Sequence, residues 1–86
     1  MDKIILALVD NEPEALMRVT GLIRKKGGTM KKICMEETSD ASYAKLTITI
    51  GYAGEMEQII SQIEKFINVH TVEEIFEATN VKAVAN

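Results

Sequence analysis

The sequence has very little of what disulfide-rich, redox-active and RNA-binding proteins depend on. Cys34 is its only cysteine, so the chain can form no internal disulfide and no two-cysteine metal or redox motif. It has no tryptophan, two tyrosines and two phenylalanines. Sequence-specific RNA binding on an open sheet needs aromatic side chains on which bases stack. These shortages exclude a disulfide scaffold and argue against an RNA-binding sheet.

Basic charge and long apolar segments are also scarce. The formal net charge is -3, whereas nucleic acids and anionic membranes attract a dense basic face. The one basic cluster, at 24–26 and 31–32, is short and typical of a solvated helix end. The apolar run at 4–9 is too short for a signal peptide or a membrane span. We therefore expect a cytoplasmic protein that binds neither nucleic acid nor membranes.

What remains is the composition of one small globular domain. Of 86 residues, 47% are hydrophobic and 27% are charged, which allows a single buried core. We assign residues 1–77 to this domain. Residues 78–86 have no convincing hydrophobic period, so we assign them to a C-terminal tail.

Four segments have the pattern of strands. Residues 4–9 are apolar without a break, which is typical of a central strand covered on both faces. Residues 29–39 place apolar side chains among charged ones, as a half-exposed or edge strand does. Residues 43–50 alternate strictly between polar and apolar, so one face is buried. Residues 69–77 have strand-like content but a mixed phase, which leaves their inward face undecided.

Two segments have helical spacing of apolar residues. The first covers 15–23 and is stopped by Gly27 and Gly28, because glycine tolerates the positive φ at a helix end. The second has an apolar stripe from Met56 to Ile67. Its end is predicted at Asn68, with Lys65 in the last turn.

The order β-α-β-β-α-β predicts an α+β fold, the ferredoxin-like sandwich with two helices on one face of a four-stranded antiparallel sheet. The first strand is apolar towards both faces, yet the helices can cover only one of them. Another chain would then cover the second face or extend a sheet edge. We expect a homodimer.

Side chains that could support catalysis are few. His70 is the only histidine and lies on a predicted strand, where a surface or half-buried role is expected. Cys34 has no histidine near it in sequence and is expected to pack rather than react. A phosphatase of this fold would need a basic cradle at the first strand–helix turn, which instead carries Asp10, Glu12 and Glu14. We expect no catalytic residue, no metal and no cofactor in this chain.

Two long stretches resemble a known family. "ALVDNEPEALMRVTGLIRKKGGTMKKI" at 7–33 and "LTITIGYAGEMEQIISQIEKFINVHTVEEI" at 46–75 are similar to the ACT domain in the small regulatory subunit of acetolactate (acetohydroxyacid) synthase. The length is similar to the short, single-domain form of that subunit.

The resemblance implies a non-catalytic subunit. It would bind and activate a large, thiamine-diphosphate-dependent catalytic subunit in branched-chain amino-acid biosynthesis. The alternative is a free-standing ACT-domain amino-acid sensor that regulates another enzyme or a transcription regulator.

The resemblance also implies a small amino-acid ligand, because in longer, feedback-inhibited members valine sits at the dimer interface beside the first turn. The family's turn pattern is Asn, any residue, Pro or Ser, Gly, any residue, Leu. This chain matches it at Asn11, Pro13 and Leu16. It departs from the pattern at Glu14, which replaces the glycine.

Two further departures follow the first helix. Thr29 stands where the family usually has a second Asn, and Gly28 replaces the aromatic residue commonly found before it. The candidate ligand-binding residues are Asn11, Pro13, Glu14, Ala15, Leu16, Gly28, Thr29 and Met30.

Glu14 has two physical interpretations. If Asn11 is the N-cap, Glu14 is the N3 residue of a capping box. If Glu12 is the cap, Pro13 is the first helical residue. In both registers a fixed negative charge stands about where a ligand carboxylate would meet the free N–H groups of the helix. Glu14 either only caps the helix or also excludes the ligand, which would make the subunit valine-insensitive.

Overall fold

A four-stranded antiparallel sheet with two helices packed on one face forms the structure. The computed structural model describes residues 2–76, so the predicted tail lies outside the described residues. The sheet order is β2-β3-β1-β4, and the predicted ferredoxin-like βαββαβ fold is confirmed. The elements are β1 (Asp2–Asp10), α1 (Pro13–Lys25), β2 (Thr29–Glu37), β3 (Tyr43–Gly51), α2 (Met56–Ile63) and β4 (Val69–Ile75).

The core lies between the helices and one face of the sheet. The strict alternation predicted for β3 is confirmed, since its four apolar residues are at most 1% exposed while the residues between them are not buried. Both helices contribute three buried side chains each to the same cluster. The cluster comprises Ile5, Ala7, Val9, Ala15, Val19, Ile23, Ala44, Leu46, Ile48, Ile50, Met56, Ile59, Ile63 and Val69.

A β-bulge explains the mixed phase of β4. Leu8 pairs with Thr71 whereas Val9 pairs with Val69, so His70 is the extra residue. The bulge shifts the alternation by one position. Val69 and, after the bulge, Val72 therefore both point to the core, although they are three residues apart.

The second helix ends earlier than the sequence predicts. It covers Met56–Ile63 instead of continuing to Asn68, and its last turn contains no basic residue, so the placement of Lys65 there is wrong. The N–H of Lys65 donates to the carbonyl of Gln62 at 3.2 Å, three residues back. Hydrogen bonds of this spacing tighten the chain into a turn and direct it into β4.

The early end of α2 also divides its apolar stripe. Phe66 still packs against the core from the turn. Ile67 is 84% exposed, so its predicted place on the buried stripe is wrong. Beyond Ile63 the backbone is no longer helical, so residues three or four positions apart no longer share one face.

The face of the sheet opposite the helices has an apolar centre. Ile4, Leu6 and Leu8 of β1 point to this side, because Ile5, Ala7 and Val9 point to the helices. β2 and β4 form the two edges of the sheet, as predicted for β2. Within residues 2–76, no helix has the length and apolar character that a membrane crossing requires.

Candidate functional site

The turn between β1 and α1 adopts the second of the two registers considered. Glu12 is the N-cap, with an extended backbone at φ -146° and ψ 150°, and Pro13 is the first helical residue. The capping box with Asn11 as N-cap is therefore wrong. The physical reason is Pro13, which disfavours helical backbone at the residue before it and fits the first helical position.

Asn11 connects this turn to the loop between β2 and β3. Its backbone N–H donates to the carbonyl of Ser42 at 2.9 Å. Its side-chain Nδ2 donates to the carbonyl of Ala41 at 3.0 Å. The backbone N–H and the side-chain amide of Asn11 are thus both engaged with the protein itself.

Glu14 is directed along the helix rather than back to the turn. Its Oε2 accepts hydrogen bonds from Arg18 Nε at 3.0 Å and from an Arg18 terminal nitrogen at 2.6 Å. Both side chains are about half exposed, at 56% and 46%. The carboxylate is held by an i,i+4 ion pair and does not cap the helix.

Asn68 is a residue of this turn that sequence reasoning identified only as a helix stop. It is 6% exposed, and its backbone carbonyl accepts a hydrogen bond from the Asp10 N–H at 2.8 Å. Its Nδ2 donates to Glu12 Oε1 at 3.3 Å, while Oδ1 has no hydrogen-bond partner within residues 2–76. A polar residue between a helix end and a strand start was the only sequence signal.

His70 forms a cluster on the opposite face of the sheet. Its Nε2 lies 2.6 Å from Asp10 Oδ1, and its ring meets that of Tyr43 edge-on at 4.9 Å between centroids. The side chain of His70 is 38% exposed. The expected surface or half-buried place of His70 is confirmed, and the bulge directs it to the carboxylate at the end of β1.

The remaining candidate residues lie at the other end of the sheet. Thr29 and Asp2 both pair with Gly51, whereas Asn11 follows Asp10. Eight residue steps along β1 separate these ends by about 26 Å. One chain therefore brings Asn11, Pro13, Glu14, Ala15 and Leu16 together but leaves Gly28, Thr29 and Met30 apart from them.

Gly28 is explained by packing at the end of α1. A Cβ at this position would lie 2.8 Å from Ile23 Cγ2 and 3.2 Å from the Ile23 carbonyl oxygen. Its N–H donates to the same carbonyl at 2.9 Å. The neighbouring Thr29 is exposed, and Met30 packs against the core. In this backbone an aromatic side chain at Gly28 does not fit without a shift of Ile23.

An ion pair joins β1 and β2 at this same end. Lys31 Nζ donates to Asp2 Oδ1 at 2.7 Å. This hydrogen bond holds the pKa of the Asp2 carboxyl below its ordinary value. Among residues 2–76, no group of three His, Cys, Asp or Glu side chains is arranged to hold a metal.

The chain is similar to proteins of one family. The profile that describes the ACT domain matches residues 11–72. The acetolactate synthase small subunit of Buchnera aphidicola (Schizaphis graminum) is 36% identical over 95% of this chain and 52% of its own length. The acetolactate synthase isozyme 3 small subunit of Escherichia coli is 32% identical over 95% of this chain and 51% of its own length. The chain spans about half the length of these curated relatives.

A solved structure agrees with the sequence matches. The small subunit of acetolactate synthase from Thermotoga maritima superimposes with a TM-score of 0.75 at 25% identity. The match covers 88% of this chain and 48% of that one. The two chains share the arrangement of strands and helices described above.

Proposed function

Because the chain belongs to the ACT-domain family, we propose that it is a non-catalytic regulatory subunit that binds and activates the catalytic subunit of acetolactate synthase. This proposal rests on the similarity of the chain, over 95% of its residues, to proteins named as small subunits of that synthase. The catalytic partner holds the thiamine diphosphate and performs the reaction, and this chain supplies regulation in branched-chain amino-acid biosynthesis. Both would work in the cytoplasm.

The first turn supports a role in regulation rather than chemistry. Each acidic side chain near it has a structural partner: Glu14 with Arg18, Glu12 with Asn68, and Asp10 with His70. A general acid or base has to be free to reach a substrate proton. Two of these contacts instead connect the turn and β1 to the segment at 68–70, and the third lies within α1.

The separation of the candidate residues supports a homodimer. A ligand that contacts both the Asn11 turn and Thr29 needs a second copy, because about 26 Å separates the two groups within one chain. β2 offers an outer edge with unpaired backbone groups beside the exposed Ile33. A twofold pairing of β2 edges is the arrangement we propose.

We also propose that the subunit is insensitive to valine, because of where Glu14 lies in the first turn of α1 and not because of a capping box. Glu14 occupies the second helical position, where a ligand carboxylate would approach the free N–H groups. Its Cβ and methylene groups remove the clearance that a glycine provides. The carboxylate of the N-cap residue, Glu12, accepts a hydrogen bond from Asn68 beside the same turn, so an incoming carboxylate also meets a second negative charge.

The subunit role is tested by reconstitution with the catalytic subunit from the same genome. We expect the full chain to co-elute with that subunit and to raise its rate of acetolactate formation. The control is the catalytic subunit alone at equal concentration. Absence of both co-elution and activation would reject the role.

The ligand is tested separately by calorimetry with valine, leucine and isoleucine. We expect no heat of binding to the full chain up to about 1 mM amino acid, which corresponds to a Kd weaker than millimolar. Micromolar binding would contradict insensitivity and leave the subunit role intact. Glu14→Gly tests clearance and charge together, and Glu14→Gln removes the charge while it keeps the bulk. Binding by Glu14→Gly alone would assign the exclusion to bulk.

A further inference from the structure

The helix layer has a groove on its outer side that the fold does not use. It has a volume of about 430 Å³ and runs between α1 and the turn after α2. We call it the helix groove. It is lined by Met17, Arg18, Gly21, Leu22, Lys25, Gln62 and Phe66.

The floor of the helix groove is apolar and open. Met17 is 69% exposed, and a Cβ added to Gly21 would have no atom within 4 Å. Leu22 and Phe66 form the rest of the floor and pack against the core from above. Glycine inside a helix is about 1 kcal/mol less favourable than alanine. Neither the exposed methionine nor the glycine is therefore explained by packing among residues 2–76.

The rim of the helix groove is positive, although the chain carries a net charge of -3. Arg18 and Lys25 line it, and no acidic residue is among its lining residues. Arg18 is paired with Glu14. The four ion pairs among residues 2–76 do not include Lys25. Lys25 thus places a positive charge beside exposed apolar surface.

We propose that the helix groove is the docking site for an amphipathic helix of the catalytic subunit, with apolar residues flanked by carboxylates. The proposal rests on the subunit role proposed above. The lining residues that belong to α1 follow one side of the helix over about two turns, or about 12 Å. Gly21 lets the backbone of the partner helix approach α1 closely. The apolar face of that helix covers Met17, and its carboxylates pair with Lys25.

Charge argues against a second copy of this chain as the occupant. A symmetric dimer through the helix groove would place the same surface on both partners. Lys25 of one protomer would then lie in the same interface as Lys25 of the other, which is unfavourable because Arg18 is already paired with Glu14. An acidic partner helix has the complementary charge.

The test compares two neighbouring charge reversals in the last turn of α1. Lys25→Glu alters the rim, whereas Arg24→Glu alters the same turn outside the lining residues. Both lose the same favourable interaction with the helix dipole, so their stabilities should match. We expect Lys25→Glu to weaken binding of the full chain to the catalytic subunit about tenfold and Arg24→Glu less than about twofold.

A second pair of variants tests the floor. Gly21→Gln fills the open space, and we expect it to weaken binding about tenfold, whereas Gly21→Ala should change affinity less than about threefold. Neither variant clashes with the part of the chain that the structure describes, because the space around Gly21 is open there. Thermal unfolding of each variant checks that the fold is retained.

The outcomes separate the two proposals. If the wild type does not bind the catalytic subunit, the subunit role and the docking site both fail. If the wild type binds and all four variants bind equally well, only the docking site fails. If Lys25→Glu and Arg24→Glu weakened binding to the catalytic subunit equally, the docking site would also be rejected. The weakening would then follow from the change in net charge and not from the position of Lys25. Loss of self-association in Gly21→Gln would assign the groove to a second copy and overturn the proposal.

Discussion

Glu14 is the residue at which this chain departs most clearly from the first-turn pattern of the family it resembles. Its carboxylate pairs with Arg18 and leaves the N-cap to Glu12. An exposed i,i+4 pair contributes little to stability, because water screens the charges and both side chains lose freedom. Glutamate in the first turn also has a higher helix propensity than glycine and a favourable interaction with the helix dipole, so stability by itself accounts for the replacement, and the calorimetry proposed above tests ligand exclusion.

A double-mutant cycle of Glu14→Gln and Arg18→Gln separates the ion pair from a cap. The ion pair predicts a coupling free energy of about 0.3–0.5 kcal/mol that declines in 1 M salt. A capping box predicts no coupling, since a glutamine at position 14 could still accept the same backbone hydrogen bond. Urea unfolding of the four proteins at low and high salt measures the coupling. A coupling of zero at low salt would contradict the pair.

Asn68 illustrates a role that residue-level reasoning on the sequence could not find. Its contacts with Asp10 and Glu12 join positions 56 to 58 residues apart in the chain. Local patterns carry information on neighbours along the chain, whereas this contact depends on how β4 lies beside β1. The same limit applies to His70, which meets Asp10 only because of the bulge.

At the scale of the elements, α1 contains one glycine that the fold requires and one that it does not. Gly27 has φ 92° and follows the C-cap Lys26, so it holds a left-handed conformation. Gly21 is inside the helix with open space around it. The predicted stop of the helix at Gly27 is confirmed.

Alanine substitutions at these two glycines should change the free energy of unfolding in opposite directions. We expect Gly27→Ala to lower the free energy of unfolding by about 1–2 kcal/mol, because a side chain is strained at positive φ. Gly21→Ala should raise it by up to about 1 kcal/mol through helix propensity. Chemical denaturation of both variants measures the changes. The same sign for both would show that the left-handed turn does not decide the end of α1.

The ends of elements were harder to predict than their type. Alternation in β3 and helical spacing in α1 gave the correct elements, because each face packs against one continuous core. The apolar stripe of α2 did not give its end. Phe66 reaches the core equally well from a turn, so apolar spacing alone did not distinguish the two backbones.

At the scale of the whole molecule, self-association is the expectation that follows from the sheet. β2 lies at an edge, and its Ile33 is 46% exposed. An exposed apolar edge is a template for pairing with another strand. Two copies paired in this way would also be able to bring the Asn11 turn of one towards Thr29 of the other.

Sedimentation tests the dimer and the edge that forms it. We expect the wild type to be dimeric at micromolar concentration and Ile33→Lys to shift it towards monomer, because a lysine on an edge opposes pairing. Thr71→Lys on the other edge strand is the control and should leave the dimer unchanged. A stable wild-type monomer would count against the dimer. Dissociation by Thr71→Lys alone would move the interface to β4.

By itself, the sequence determined the fold class, the order of the six elements, the buried face of β3 and the family to which the chain belongs. The fold class, the order of the elements and the buried face depend on hydrophobic periodicity and on turn residues, which are local properties, whereas the family rests on the resemblance of two long stretches of sequence. The tertiary structure alone decided which of the two registers places the N-cap, at Glu12, that Glu14 pairs with Arg18, and that the two groups of candidate residues lie at opposite ends of the sheet. These depend on register and on contacts between distant segments, which a local pattern does not contain.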